Sequence, residues 1–255
     1  MQLKSKIVLI GAGNIATHLG LALKQVGCNI VQVYSRTQKS ASQLAKILAT
    51  DYTTDLKKIA KAELYIICVK DDVIADIVKK IKFNNALAVH TSGSIDMNVF
   101  KGHTNNYGVF YPLQTFSKNK KTDISFVPIC VEANDNTNKK IVMQLAKTIS
   151  DRVIYLDSQQ RKTVHLAAVF ACNFTNHMYS IAEKIVKEKN IPFNILVPLI
   201  QETAHKIVSH SPAKMQTGPA IRNDKKVIKQ HLKMLKEKKE FKKIYQLLSD
   251  AISYT

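Results

Sequence analysis

An imidazole and two carboxamides, His165, Asn173 and Asn176, fall within one stretch whose pattern is helical. At 3.6 residues per turn, His165 and Asn176 lie about 20° apart around a helix axis, with Asn173 beside them. A packing stripe would be Leu or Ile. A stripe of His165, Asn173, Asn176 and small residues such as Ala168 can instead hand a proton to a substrate and hold its polar atoms. Imidazole suits the first task because it titrates near neutrality. The competing reading is a set of hydrogen bonds between helices at an interface. Further along, Arg222 with Gln216 and Thr217 nearby could clamp a substrate carboxylate in two-point fashion, or Arg222 could pair with an acid such as Asp224.

A different chemistry is written at the start of the chain. Four apolar residues, Ile7 to Ile10, stop at Gly11-Ala12-Gly13-Asn14-Ile15-Ala16, and a helical pattern runs from Thr17 until Gly27 ends it. Gly11 permits a tight turn, Gly13 lets the backbone approach a pyrophosphate, and Ala16 lets the helix pack close to the strand. The helix N-terminus then faces the phosphates, as a dinucleotide site requires. A second strand, Asn29 to Tyr34, ends at Ser35-Arg36-Thr37, where an NAD site usually carries an acid for the ribose hydroxyl. Arg36 between two hydroxyls suits a 2′-phosphate, so NADP is expected in preference to NAD. Val69 and Lys70 close a later strand and offer backbone contacts to the cofactor, and Asp72 reads as the cap of the helix that follows. Another strand delivers His90-Thr91-Ser92-Gly93-Ser94 to the same edge, with Thr91, Ser92 and Gly93 expected to hold the nicotinamide or a substrate and Ser94 to cap a short helix.

These elements belong to a 255-residue chain, 45% hydrophobic, with a formal charge of +19. No run approaches the eighteen or so apolar residues of a membrane span, so a soluble cytoplasmic protein is expected. Cys28, Cys68, Cys130 and Cys172 are widely spaced, with no Cys-x-x-Cys pair and no His cluster at metal-ligand spacing; buried free thiols are expected and no metal. Residues 225–243 hold nine Lys and two Glu, while Val227, Ile228, His231, Leu232 and Leu235 keep an apolar stripe. That pattern reads as a solvated helical face, and no nucleic-acid motif accompanies it; a nucleic-acid partner is not expected.

Strands alternate with helices up to residue 156, which argues for an α/β fold with a doubly wound, mainly parallel sheet. Strands are expected at 107–111, 126–131 and 152–156, and a polar loop at 118–122. From Asp157, itself a helix-cap residue, strand-like runs disappear. The expected domains are therefore 1–156, binding the dinucleotide, and 157–255, all-α.

Taken with Pro112-Leu113-Gln114-Thr115-Phe116, with His165-x-x-Ala168-x-x-x-x-Asn173-Phe174-x-Asn176 and with Gln216-Thr217-Gly218-Pro219-Ala220-x-Arg222-x-Asp224, these motifs resemble one architecture across nearly the whole chain. It is the Rossmann-like family whose C-terminal helical domain is of unknown function, similar to pyrroline-5-carboxylate reductase and more distantly to the beta-hydroxyacid and prephenate dehydrogenases. The resemblance implies an NADP-linked oxidoreductase, a homodimer through the helical domain. Together with the residues above, the leading expectation is hydride transfer to or from a small carbonyl, imine or hydroxy-acid-type substrate in the cleft between the domains, with His165 as proton donor. A dinucleotide-binding sensor without catalysis is the alternative. Two positions depart from the family: Tyr111 stands before Pro112 where relatives tend to have His, and Asn223 stands where the pattern prefers Gly. The Ser-Gly-Ser-Gly-Pro-Ala-Tyr motif of the reductase proper is absent, so proline synthesis is not implied.

Overall fold

Ile7, Val8, Leu9 and Ile10 have no solvent exposure in the computed structural model, as a strand covered on both faces requires. The structure describes residues 5–117, 120 and 122–254. They form two compact units, Met1–Cys172 and Asn173–Thr255.

The first unit is built on an eight-stranded sheet: β1 (Lys6–Ile10), β2 (Asn29–Tyr34), β3 (Asp51–Thr53), β4 (Leu64–Ile67), β5 (Leu87–His90), β6 (Tyr107–Pro112), β7 (Ile129–Ala133) and β8 (Val153–Tyr155). Their order is β3-β2-β1-β4-β5-β6-β7-β8, with every pairing parallel except β6 with β7. Alternation along β1 divides the core: Ile7 and Leu9 join one apolar cluster with Leu19, Leu23 and Phe110, and Val8 and Ile10 join the other with Ile74, Phe83 and Phe100. The crossovers are α1 (Asn14–Gln25), α2 (Gln38–Leu48), α3 (Asp71–Lys80) and α4 (Asn136–Ile149).

Several boundaries differ from those the pattern predicts, each for a local reason. Helix α1 begins at Asn14 rather than Thr17, because extended Gly13 is already its N-cap. Lys70 is the N-cap of α3, so Asp72 lies inside the first turn, where its charge complements the helix dipole. Asp96, not Ser94, caps the 3₁₀ turn Met97–Phe100, through the Asn98 amide. Strand β7 starts at Ile129 because Ile124–Phe126 forms a 3₁₀ turn capped by Asp123, and Phe126 is exposed. In the 118–122 loop, residues 118, 119 and 121 lie outside the described residues. Three cysteines are buried free thiols, with burial pushing Cys28 and Cys130 up and Cys68 up to about 12; Cys172, expected buried, is exposed.

Helix α5 (Ser158–Ala168) starts on a capping box, with the Asp157 carboxylate accepting from the Gln160 amide and the Gln160 side chain accepting from the Asp157 amide. A π-helical segment, Val169–Phe174, leads into α6 (Thr175–Lys187). Its underwound turn breaks the 3.6-residue reckoning that aligned His165 with Asn176.

The second unit continues with α7 (Val197–Ser209), α8 (Lys225–Met234) and α9 (Lys239–Ser253). Val227, Ile228, His231 and Leu232 of the apolar stripe on α8 are half-buried and Leu235, its C-cap, is buried, and Tyr245 of α9 meets His231 edge-on with its hydroxyl 2.9 Å from Nδ1. Asn223 sits at φ 54°, the left-handed conformation that Gly adopts freely and Asn tolerates, which accounts for Asn at that position. No helix among the described residues is long and apolar enough to cross a membrane.

Candidate active site

The carboxyl ends of the parallel strands form one edge, and the order of connection reverses between β1 and β4. Ligands of open α/β sheets bind outside such a reversal. Gly11 follows β1 there, at φ 121°, its amide donating to the Tyr34 carbonyl at 2.8 Å. A Cβ on Gly11 would fall 2.3 Å from the Cys68 carbonyl oxygen, so only glycine fits. A Cβ on Gly13 would meet nothing within 4 Å. Gly13 is not needed by the chain's own packing, and the open space beside it, at a helix N-terminus without a side-chain cap, fits the pyrophosphate of a dinucleotide. Ala12 and Ala16 are buried, and Asn14 and half-buried Ile15 open α1. Beyond Tyr34, half-buried Ser35 is followed by exposed Arg36 and Thr37, the latter the N-cap of α2. Val69 and Lys70 lead from β4 into α3 on the same edge.

The 112–116 motif reaches back to this turn. Asn14 Nδ2 donates to the Phe116 carbonyl at 2.8 Å, His18 Nε2 lies 2.9 Å from the Ser117 carbonyl, and the His18 and Phe116 rings stack at 5.0 Å.

After β5 the chain is tightly held. His90 is fully buried, stacks on Phe100 and accepts from the Ser92 amide through Nδ1. Burial, and then the Arg161 charge, push its pKa down to about 3, so this imidazole is a neutral acceptor. Thr91 and Ser92 are buried: Thr91 Oγ1 donates to the Ile67 carbonyl at 3.3 Å, and Ser92 Oγ accepts from the Ser94 and Ile95 amides. Ser94 Oγ donates to the Asp71 carboxylate.

Arg161 of α5, with no exposure, fixes this loop. Its NH1 donates to the carbonyls of Ser92 (3.3 Å) and Gly93 (3.0 Å), and its NH2 to Glu132 Oε2 (3.1 Å) and Ser158 Oγ (3.0 Å). A buried ion pair adds little net stability because each charge loses several kcal/mol of hydration, but it admits one geometry. One turn further along α5, that geometry sets His165 against the loop. His165 Nδ1 lies 3.0 Å from Tyr111 Oη, and a Cβ on Gly93 would fall 2.6 Å from that nitrogen.

The structure thus brings His165, Gly93 and Tyr111 together within the first unit. Asn173 and Asn176 are exposed residues of the second unit, as are Gln216, Thr217 and Arg222. Gln216 Nε2 donates to the Thr217 carbonyl, Arg222 lies in the turn before α8, and Asp224 caps α8 through the Val227 amide rather than pairing with Arg222. Arg161 and Glu132 are absent from the residues that the sequence reading selects, and Tyr111 enters it only as a departure from the family's His. A signal for the first two existed: a Glu ending an apolar strand run, and an Arg one turn before the candidate imidazole. Among the described residues no group of three or more His, Cys, Asp or Glu could hold a metal.

Sheet order and glycine turn define a Rossmann-type dinucleotide-binding fold joined to a C-terminal helical unit. Residues 6–92 match the family described as NADP oxidoreductase, coenzyme F420-dependent, and residues 127–252 match the domain of unknown function DUF2520. The chain belongs to the same family as a Bacteroides fragilis protein named "putative NADP oxidoreductase BF3122", with 48% identity over 99% of both chains and a TM-score of 0.93. Protein TM1727 from Thermotoga maritima is 21% identical over 96% of both chains (TM-score 0.73), and 1-pyrroline-5-carboxylate reductase from Streptococcus pyogenes is 14% identical over the full length of both (TM-score 0.66); these two share the fold. Among curated proteins there is no match.

Proposed function

We propose that the protein is an NADP-dependent oxidoreductase acting on a small carbonyl, imine or hydroxy-acid-type substrate. The observation that carries this reading is the seating of His165 against Gly93 and Tyr111, at the sheet edge that also holds the glycine turn. The name of the B. fragilis relative supports it. The cofactor supplies the hydride when bound; the chain supplies position and a proton. Gly11 to Ala16 hold the pyrophosphate, Ser35, Arg36 and Thr37 the 2′-phosphate, and Val69, Lys70, Thr91, Ser92 and Gly93 the nicotinamide side. His165 donates the proton, Asn173 and Asn176 orient the substrate, and Arg222 with Gln216 and Thr217 engages a carboxylate.

The protein acts as a homodimer through its helical unit. Every residue from 201 to 210 is exposed, including Ile207 and Val208, and helix α7 buries no residue. An amphipathic helix in that state lacks a partner face, and a second copy supplies one.

Turnover of NADPH across a panel of carbonyls and imines tests the reading. His165→Ala should lower kcat at least about a hundredfold. Binding of NADP without turnover of any substrate favours a sensor instead. Arg36→Ala should abolish the larger thermal shift given by NADP over NAD; equal shifts in the wild type would remove Arg36 from cofactor choice.

A further inference from the structure

Tyr111 lies near the end of β6, its hydroxyl 3.0 Å from the Nδ1 of His165 and the rings edge to face at 5.9 Å and 74°. Gly93 makes the approach feasible. A Cβ there would lie 2.6 Å from Nδ1 and 2.8 Å from Tyr111 Cζ, so the pair closes over a residue without a side chain. Tyr111 is 8% exposed and His165 half-buried, so the phenol end of the pair is the inner one. A phenol donates a hydrogen bond better than it accepts one, and the bond made by one ring nitrogen decides which tautomer an imidazole adopts.

We propose that Tyr111 is a positioning residue that holds neutral His165 as the Nε2–H tautomer and passes it a proton when it reacts. The proposal rests on the oxidoreductase reading for its substrate, but not for the tautomer. As the reduced substrate's oxygen or nitrogen takes a proton, its new O–H or N–H bond forms while the Nε2–H bond breaks. The Nδ1–H bond forms as the Tyr111 Oη–H bond breaks; once product has left, the phenolate takes the Nδ1 proton back while Nε2 takes one from water, whose hydroxide returns to solvent, and the Nε2–H tautomer is restored. The imidazole stays neutral throughout.

The charges around Tyr111 suit this role. Burial, Cys130 on β7 and Asp71 on α3 push its pKa up, to about 12 overall, which keeps the phenol protonated between turnovers; Arg161 on α5 acts the other way and eases the transient phenolate.

Nitrogen-15 NMR of histidine-labelled full-length protein reads the tautomer directly, with the His165 signals assigned by His165→Gln. The wild type should show a protonated Nε2 and a bare Nδ1, and Tyr111→Phe, which keeps the ring, should show averaged tautomers. A protonated Nδ1 in the neutral wild type overturns the proposal, and so does a Tyr111→Phe spectrum like the wild type; should that variant not fold, the wild-type spectrum alone decides. On a substrate that turns over, Tyr111→Phe should lower kcat about tenfold at unchanged KM; an unchanged kcat overturns the relay. Absence of turnover across the panel counts against the oxidoreductase reading and leaves the NMR result standing.

Discussion

The two units solve burial in opposite ways. The sheet unit encloses a charged pair, Arg161 with Glu132, and a neutral imidazole, His90, behind strands that are themselves buried. The helical unit leaves Leu199, Ile207, Val208, Leu247 and Leu248 exposed, and among its described residues Ala220, Leu235 and Ser249 are the buried ones. A fold can enclose charge only where the charge is paired and hydrogen-bonded inside it, as Arg161 is by Glu132, Ser158 and two carbonyls. The sheet unit has those partners within one chain, so it can fix a site geometry; the exposed apolar residues of the helical unit are where the proposed second copy would pack.

The largest test of this contrast removes one member of the enclosed pair. Arg161→Met should cost about 3–5 kcal/mol in urea denaturation, because Glu132 is left buried without a counter-charge. Arg161→Met with Glu132→Leu should recover more than half of the loss; a double variant no more stable than the single one would mean the pair is not what holds α5 on the sheet. On the helical side, Leu199→Asp with Val208→Asp should weaken self-association at least about a hundredfold, near 3 kcal/mol. Light scattering after size exclusion checks this, and an unchanged dimer would place the interface elsewhere.

The smallest effect is a pH slope. His90 titrates near 6.5 when unfolded and at about 3 when folded. Its stabilising contribution is therefore fully present above the unfolded value and is lost as pH falls from there toward the folded one. Wild-type thermal midpoints should drop between pH 7 and pH 5, and His90→Asn should flatten that drop by roughly 4 °C. Parallel curves for the two proteins would show that His90 does not set the slope.

Strands β1 and β2 and the turn that follows β1 are legible in the sequence because their signals are local: a buried strand reads as a run rich in Ile, Val and Leu, and a turn at positive φ reads as Gly. Ser94 and Asp72 misled as caps because either is a plausible cap type within a residue or two of the true one, and only backbone geometry chooses among such neighbours. The helical stripe was legible in residue type but not in phase, since i→i+5 bonding leaves no mark in composition.

The sequence by itself determined the glycine turn, the basic residue after β2 and the passage from alternating strands to helices, all of them consequences of what neighbouring residues permit. Tertiary structure decided the partners of His165 and Arg161. Tyr111 is 54 residues from His165, and Glu132 is 29 from Arg161. No short-range pattern encodes such pairs; they meet because β6 and β7 pair antiparallel, with Glu132 opposite Val109 and so two residues along β6 from Tyr111, and α5 carries Arg161 and His165 one turn apart to meet them. The imidazole could be read from the chain, but its hydrogen-bonded neighbour exists only in the fold.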